Sequence, residues 1–166
     1  VGCMDNSISR AKARIASMEG LDLTAFVFTT PYYAVDSDAQ CITYFKAVAA
    51  ATKHGVILYD LPGVTNHKIT YEMVCTLHEQ VPNLIGIKSA DLYMLRKLRL
   101  NPLFNDFKIF YSGLDAFDIA YPWDIGCPVV LFYINIFPVI LPILYYSKIV
   151  LLASSFIRHK SPLSII

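Results

Sequence analysis

Apolar runs alternate with amphipathic segments along the chain as far as residue 126. Four runs rich in β-forming residues lie at 24–31, 56–63, 84–88 and 107–113. They are continuous apolar stretches rather than in-out alternations, which predicts strands buried on both faces of a parallel sheet. A fifth and weaker run, PVVLFYI, lies at 128–134.

Helical patterns separate these strands. Each of four helical segments follows a residue that can cap a helix N-terminus: Asn6 or Ser7, Ser37, Thr70 and Asp91. Gly20 is expected to end the first helix and Gly55 the second, and a short helix is expected after the fourth strand. The alternation predicts an α/β fold in which helices cover a parallel sheet.

The spacing of the strand ends limits the number of possible folds. The predicted ends are Tyr33, Tyr59, Lys88 and Ser112, and they recur every 24 to 29 residues. So regular a βα repeat is typical of a (β/α)8 barrel, which needs eight strands and about 250 residues. The 166 residues therefore predict a partial barrel. A doubly wound open sheet is the alternative, although no G-x-G-x-x-G or G-x-x-x-x-G-K-[ST] segment follows any strand.

Composition sets the end of the chain apart. Hydrophobic residues make up 55% of the chain and charged residues only 16%, and no Asp, Glu, Lys, Arg or His occurs from Ile125 to Ser147. We therefore divide the chain into a barrel domain at 1–126 and an apolar tail at 127–166. Residues 125–147 are long enough to cross a bilayer. Three prolines and Asn135 interrupt them, so a degraded barrel end or an out-of-frame tail is favoured over membrane contact.

Several classes of function find no support in the sequence. The net charge of +1 offers no basic surface for nucleic acid. The cysteines lack metal-ligand spacing and are expected to be reduced thiols of a cytoplasmic protein: Cys3, Cys41, Cys75 and Cys127. The histidines in predicted helix ends or loops are expected to be solvated: His54, His67 and His78. Residues 1–20 do not resemble a signal peptide, and a start at Val1 rather than methionine suggests a fragment.

Candidate chemistry lies at the strand ends, where parallel barrels carry their active sites. Five residues are expected to face one mouth: Tyr33, Tyr59, Lys88, Ser112 and Asp115. A partly desolvated lysine would be a neutral amine able to attack a carbonyl, and a tyrosine one strand away could transfer the protons. The simpler alternatives are a solvated lysine and a tyrosine on the rim.

Four strings, TTPYY, VILYDLPG, NLIGIKSA and FYSGLDA, resemble in their order and spacing the N-acetylneuraminate lyase and dihydrodipicolinate synthase family. The resemblance covers about residues 1–126 and implies a class I, pyruvate-handling aldolase on a (β/α)8 barrel. By match, Lys88 would form the Schiff base with a 2-oxo acid, and Tyr59 would transfer protons. No separate cofactor or metal is implied, because the substrate is bound covalently through Lys88.

The resemblance also places the chain within the barrel and implies further site residues. Residues 1–22 look like the end of the third strand and its helix, so the chain corresponds to the stretch from there through strand seven. Tyr33 matches a tyrosine that reaches a neighbouring subunit in the synthase branch, which implies a homo-oligomer. Gly113 and Asp115 match a segment that contacts the sugar-acid substrate in the lyase branch.

Departures from the family pattern limit what the resemblance implies. A G-T-T-G-E-like loop for the substrate carboxylate is absent, so this chain is expected to be inactive alone. Asp60 replaces the usual asparagine, and Val64 stands where the synthase branch has an arginine for a second carboxylate. A sugar-acid-like substrate, cleaved to pyruvate and an aldehyde, is therefore favoured over dihydrodipicolinate synthesis. The alternatives are a non-catalytic barrel fragment and a membrane-associated remnant.

Overall fold

The computed structural model describes residues 1–32, 37–113 and 116–126. The helices are Ile8–Met18 (α1), Asp38–Ala49 (α2), Pro62–Thr65 (α3), Tyr71–Gln80 (α4), Leu92–Arg99 (α5) and Phe117–Ala120 (α6). The strands are Ala25–Thr29 (β1), Gly55–Tyr59 (β2), Leu84–Ser89 (β3) and Lys108–Tyr111 (β4). Two short 3-10 helices lie at Pro102–Phe104 and Tyr121–Trp123.

The four strands form one parallel sheet in chain order. Extended chain continues the sheet at both sides, because Gly2 is bridged to Val27 in β1 and Gly126 is bridged to Phe110 in β4. Parallel neighbours joined through helices are the repeating unit of a βα barrel. The predicted fold class, a partial (β/α)8 barrel, is confirmed.

Side-chain caps explain where three of the helices begin. Ser37 forms a capping box at α2: its Oγ accepts from the Gln40 N–H at 3.3 Å, and the Ser37 N–H donates to Oε1 of Gln40 at 2.8 Å. Thr70 accepts from the Met73 N–H at 3.2 Å and starts α4. Asp91 caps α5 in the same way. These predicted starts are confirmed.

The expected end of the second helix is wrong. Helix α2 ends at Ala49, and Gly55 instead opens β2. A Cβ at Gly55 would meet the side chain of Ile85 on the neighbouring strand. The glycine is therefore explained by close packing between strands rather than by a helix terminus.

Helix α3 was not expected from the sequence, which had predicted strand and loop there. Pro62 occupies its first turn, where a missing N–H costs nothing. Asn66 ends it in the left-handed conformation at φ 57°, and its N–H donates to the carbonyl of Pro62 at 2.9 Å.

The core lies between the sheet and the helices. Its largest fully buried side chains include Phe26, Phe28, Phe45, Leu58, Ile87 and Leu95. The opposite face of the sheet is less covered, with half-buried side chains at Val27, Ile57, Tyr59, Lys88 and Phe110. The expectation of burial on both faces is wrong for β2, because burial alternates along it. In a closed barrel, strands on the opposite side cover this face. The described strands form one side of such a barrel.

Candidate active site

Lys88 and Tyr59 lie side by side where β3 and β2 end. They are register partners in the parallel ladder, and Nζ of Lys88 lies over the Tyr59 ring, 4.2 Å from its centroid. Both side chains are half-buried on the face of the sheet away from the helices. The structure thus brings the amine and the tyrosine together, while their catalytic roles stay predictions.

A buried polar pair stands behind them on the opposite face. Asp60 follows Tyr59 and is 3% exposed, and Ser89 follows Lys88 and is fully buried. Oγ of Ser89 donates to Oδ2 of Asp60 at 2.7 Å, and Oδ1 of Asp60 accepts from the Ile69 N–H at 2.9 Å. The buried carboxylate thus has partners at both oxygens, as burial of a charge requires.

Lys68 and Asp91 extend this network to the surface. Nζ of Lys68 lies 2.6 Å from Oδ2 of Asp91 and 3.9 Å from Oδ2 of Asp60. Burial raises the pKa of Asp91, but hydrogen bonds from Lys68 and the Met94 N–H outweigh that effect and hold its pKa below the ordinary value. The network ties the end of β2 to the start of α5.

Val64 lies in α3, directly after β2, and is 63% exposed. Its neighbour Thr65 is buried, and Oγ1 of Thr65 donates to the carbonyl of His67 at 3.1 Å. The short helix therefore anchors Thr65 and presents Val64 to solvent. A valine there can offer a substrate an apolar contact but no charge.

Other strand-end residues lie near this edge. Thr29 ends β1, is buried and is the register partner of Tyr59. Thr30 is also buried, and its Oγ1 donates to the carbonyl of His67 at 3.3 Å. Gly113, expected to contact substrate, is half-buried just beyond β4.

Several expectations fall outside the described residues. They concern Tyr33, Asp115, the weak strand at 128–134, Cys127 and the tail at 127–166. Their predicted roles stay predictions.

The histidines correct one expectation from the sequence. Each was expected to be solvated, but each packs against a partner. His67 has a side chain only 12% exposed, with Nε2 3.0 Å from Oδ1 of Asp38. The rings of His54 and His78 pack on Phe26 and Phe104, respectively. Aromatic and carboxylate neighbours on other elements explain why the three histidines are partly buried. Hydrophobic periodicity along one segment does not reveal such neighbours.

The Asp60–Ser89 pair was missed in the sequence. Asp60 drew notice only as a departure from the family pattern. The available signal was the pair of dipeptides, Tyr59-Asp60 and Lys88-Ser89, at two neighbouring strand ends. Because adjacent strand residues point to opposite faces, each dipeptide puts one polar group on either side of the sheet.

A parallel βα sheet with a lysine and a tyrosine at two adjacent strand ends defines part of a (β/α)8 barrel. The chain belongs to the dihydrodipicolinate synthetase family, whose family model matches residues 1–141. The match continues past residue 126, into the segment predicted to be a separate tail.

Two curated relatives are similar to the chain over most of its length. A 4-hydroxy-tetrahydrodipicolinate synthase of Shewanella baltica (strain OS155) is 37% identical over 111 residues, which are 67% of this chain and 37% of the relative. The Helicobacter pylori (strain Shi470) enzyme of the same name is 31% identical over 138 residues, or 83% of this chain and 45% of the relative. The chain therefore spans less than half the length of these relatives.

A solved structure supports the same fold. The 4-hydroxy-tetrahydrodipicolinate synthase of Methylacidiphilum fumariolicum SolV aligns with a TM-score of 0.64 at 26% identity, covering 75% of this chain and 42% of that one.

Neither a membrane-spanning helix nor a metal-binding cluster occurs among the described residues. Within residues 1–32, 37–113 and 116–126, no helix has the length and apolar character needed to cross a membrane. Over those residues, no cluster of three His, Cys, Asp or Glu side chains could hold a metal ion.

Proposed function

We propose that Lys88 and Tyr59 are the Schiff-base lysine and the proton-transferring tyrosine of a class I aldolase for 2-oxo acids. The observation that carries the proposal is the position of the Lys88 amine over the Tyr59 ring, at adjacent ends of two parallel strands. Membership of the family supports the same reading.

The chemistry requires only these two groups at the reacting carbon. Once its ammonium group has given up a proton to water, the Lys88 amine adds to the C2 carbonyl of a 2-oxo acid such as pyruvate, and the resulting carbinolamine loses water to form an imine. A proton must reach the departing oxygen, and the Tyr59 hydroxyl is the candidate donor. The substrate thus becomes covalently bound, and the proposal calls on no separate cofactor.

The substrate class is inferred from what surrounds the pair. Val64 offers no charge for a second carboxylate, which supports a sugar-acid-like or other monocarboxylic 2-oxo acid over the synthase reaction. The curated relatives are named for the synthase reaction, so this preference depends on Val64 alone. The sequence also lacks a G-T-T-G-E-like loop to hold the pyruvate carboxylate, and we propose that this chain alone does not turn over.

Assembly is a further part of the proposal. In the synthase branch the tyrosine that Tyr33 matches reaches a neighbouring subunit, so we propose that the family site of this protein is completed in a homo-oligomer. Sedimentation of the purified chain checks this, and a monomer at all concentrations would contradict it.

Borohydride trapping with pyruvate tests the chemistry. Hydride reduces an imine to a stable secondary amine, so an adduct appears as one added 1-carboxyethyl group in the intact mass. We expect an adduct that Lys88→Arg abolishes and that Lys108→Arg retains. Lys108 is the matched control, because it lies on the neighbouring strand β4 and is exposed.

Two results would contradict the proposal. One is the absence of any adduct on this chain when a full-length relative is trapped under the same conditions. The other is an adduct that survives Lys88→Arg, which would show random reaction with surface amines.

A further inference from the structure

Asp60 and Ser89 form a second cross-strand pair, directly behind the proposed catalytic pair. Tyr59 and Asp60 are consecutive where β2 ends, as are Lys88 and Ser89 at the end of β3. Because successive side chains alternate between faces, the two pairs stand back to back. The front pair is half-buried, and the rear pair is almost completely buried.

The rear pair is the tighter of the two. Ser89 Oγ and Asp60 Oδ2 are 2.7 Å apart, a short distance typical of a hydrogen bond to a carboxylate. The Asp60 N–H also donates to the carbonyl of Lys88 at 2.8 Å. Asp60 is thus hydrogen-bonded both to the backbone of Lys88 and to the side chain of Ser89.

Neighbouring elements hold the rear pair in turn. Oδ1 of Asp60 accepts from the Ile69 N–H in the loop before α4, at 2.9 Å. Oγ of Ser89 accepts from the Asp91 N–H, which leads into α5, at 3.0 Å. The front pair is joined by an aromatic contact and by the backbone pairing of its two strands, and the rear pair adds a buried side-chain hydrogen bond between the same strand ends.

We propose that Asp60 and Ser89 are positioning residues that keep the Lys88 amine over the Tyr59 ring. The chemical consequence rests on the proposed function, since that ring position would be the starting geometry for attack on a 2-oxo acid. The geometric claim can be tested without any activity.

The test uses reductive ¹³C-methylation of the full chain followed by NMR. The N-methyl resonance that is missing from Lys88→Arg belongs to Lys88. A group above an aromatic ring is shifted upfield by the ring current, so wild-type Lys88 should be shifted upfield. Tyr59→Phe should keep the shift, and Tyr59→Leu should remove it, which calibrates the measurement.

Ser89→Ala removes the hydrogen bond to Asp60 and does not alter the chemical groups of Lys88 and Tyr59. We expect the Lys88 resonance to move most of the way to its position in Tyr59→Leu. Ser89→Cys, which is similar in shape to serine but slightly larger and a weak donor, should give the same result and serves if Ser89→Ala does not fold. Ser17→Ala is the matched control, because it removes a serine hydroxyl that donates to the carbonyl of Arg14 in α1 and leaves the Asp60–Ser89 bond; it should keep the shift.

Activity provides a second and separate readout. If wild type is trapped by pyruvate, the adduct should form at least about tenfold more slowly in Ser89→Ala, since small misplacements of reacting groups cost that much or more. Ser17→Ala should react like wild type. If wild type forms no adduct, the proposed function fails, and the NMR shift still decides the positioning claim.

The proposal is overturned if folded Ser89→Ala or Ser89→Cys keeps the full upfield shift of wild type. It is also overturned, without any variant, if the Lys88 resonance of wild type shows no upfield shift at all.

Discussion

At the scale of single residues, the position of Lys88 follows from a few local contacts. Its strand is bonded to neighbours on both sides, β2 and β4, so the backbone at Lys88 is fixed. The side chain then extends along the half-buried face to the ring of Tyr59. A cation–π contact in such a setting contributes about 0.5–1 kcal/mol, which orients the amine but leaves it free to move toward a substrate.

Replacing Tyr59 by Phe separates the ring from the hydroxyl. The ring contact with Lys88 should persist, so stability should change by less than about 0.5 kcal/mol. Formation of the pyruvate adduct should slow by about 10²-fold or more, because the proton donor is lost. Urea unfolding and the rate of borohydride trapping measure the two effects. An unchanged trapping rate would exclude Tyr59 as the proton-transferring group.

The network around Asp91 should appear in the pH dependence of stability. The folded pKa of Asp91 lies below its unfolded value, so its contribution is complete above the unfolded pKa of about 3.9 and is lost as the pH falls through the folded pKa. Asp91→Asn can still cap α5 but cannot carry the charge. Urea midpoints at about pH 6 and about pH 3 should differ less in this variant than in wild type.

Asp106→Asn is the control for that measurement, because Asp106 is exposed and lies outside the network. An equal reduction of the pH dependence in both variants would contradict the assignment to the Lys68–Asp91 contact.

At the scale of elements, local signals predicted the starts better than the ends. Ser37, Thr70 and Asp91 each cap the helix that the sequence assigned to them, because a cap depends on three or four consecutive residues. The predicted end of α2 at Gly55 is wrong, because that glycine is explained by its close packing against Ile85 in β3. Helix α3 is too short to show the hydrophobic periodicity by which a helix is predicted.

The same contrast between local signals and contacts of distant segments applies to the candidate active site. The sequence identified Lys88 and Tyr59, because strand ends can be read from local pattern and their order along the chain. It did not find Asp60 and Ser89 as a pair, because their bond depends on the register between two strands. Register follows from packing of the whole sheet and from no single segment.

Gly86 tests the close approach of β3 and β4. A Cβ at this position would overlap the backbone carbonyl of Lys108, which cannot turn away. Gly86→Ala should therefore destabilise the fold by about 1–3 kcal/mol, as overpacking of a core does. Gly63→Ala is the control, because its added Cβ meets nothing within 4 Å. Equal urea midpoints for the two variants would mean that β3 and β4 are not paired in this register.

Asn83 tests the opposite end of the sheet. Its Nδ2 lies 3.1, 3.3 and 3.1 Å from the carbonyl oxygens of Ala49, Thr52 and His54, respectively. Asn83→Asp would set a carboxylate against three acceptors and should cost more stability than Asn83→Ala, which itself should cost about 1–3 kcal/mol. Thermal unfolding gives the order. Asn105→Asp, at an exposed position, should be close to neutral.

At the scale of the whole molecule, the described residues combine a four-stranded parallel sheet with one half-buried face. It spans 37% to 45% of the curated relatives it matches, and the side chains around Lys88 on that face are half-buried. The sequence supplies the amine and the tyrosine but no G-T-T-G-E-like loop to anchor a carboxylate. We therefore expect Schiff-base formation without steady-state aldol cleavage, which a coupled pyruvate-release assay can check; sustained turnover would contradict this.

The assignment of Lys88 as the Schiff-base lysine is tested most directly by mapping one sample of the chain after incubation with labelled pyruvate and borohydride, which reduces the imine. Peptide mass spectrometry compares the labelled fraction of each lysine, with exposed Lys108 as the internal reference. We expect label to accumulate at Lys88 well before it appears at Lys108. Labelling of Lys88 that is no faster than labelling of Lys108 would contradict it.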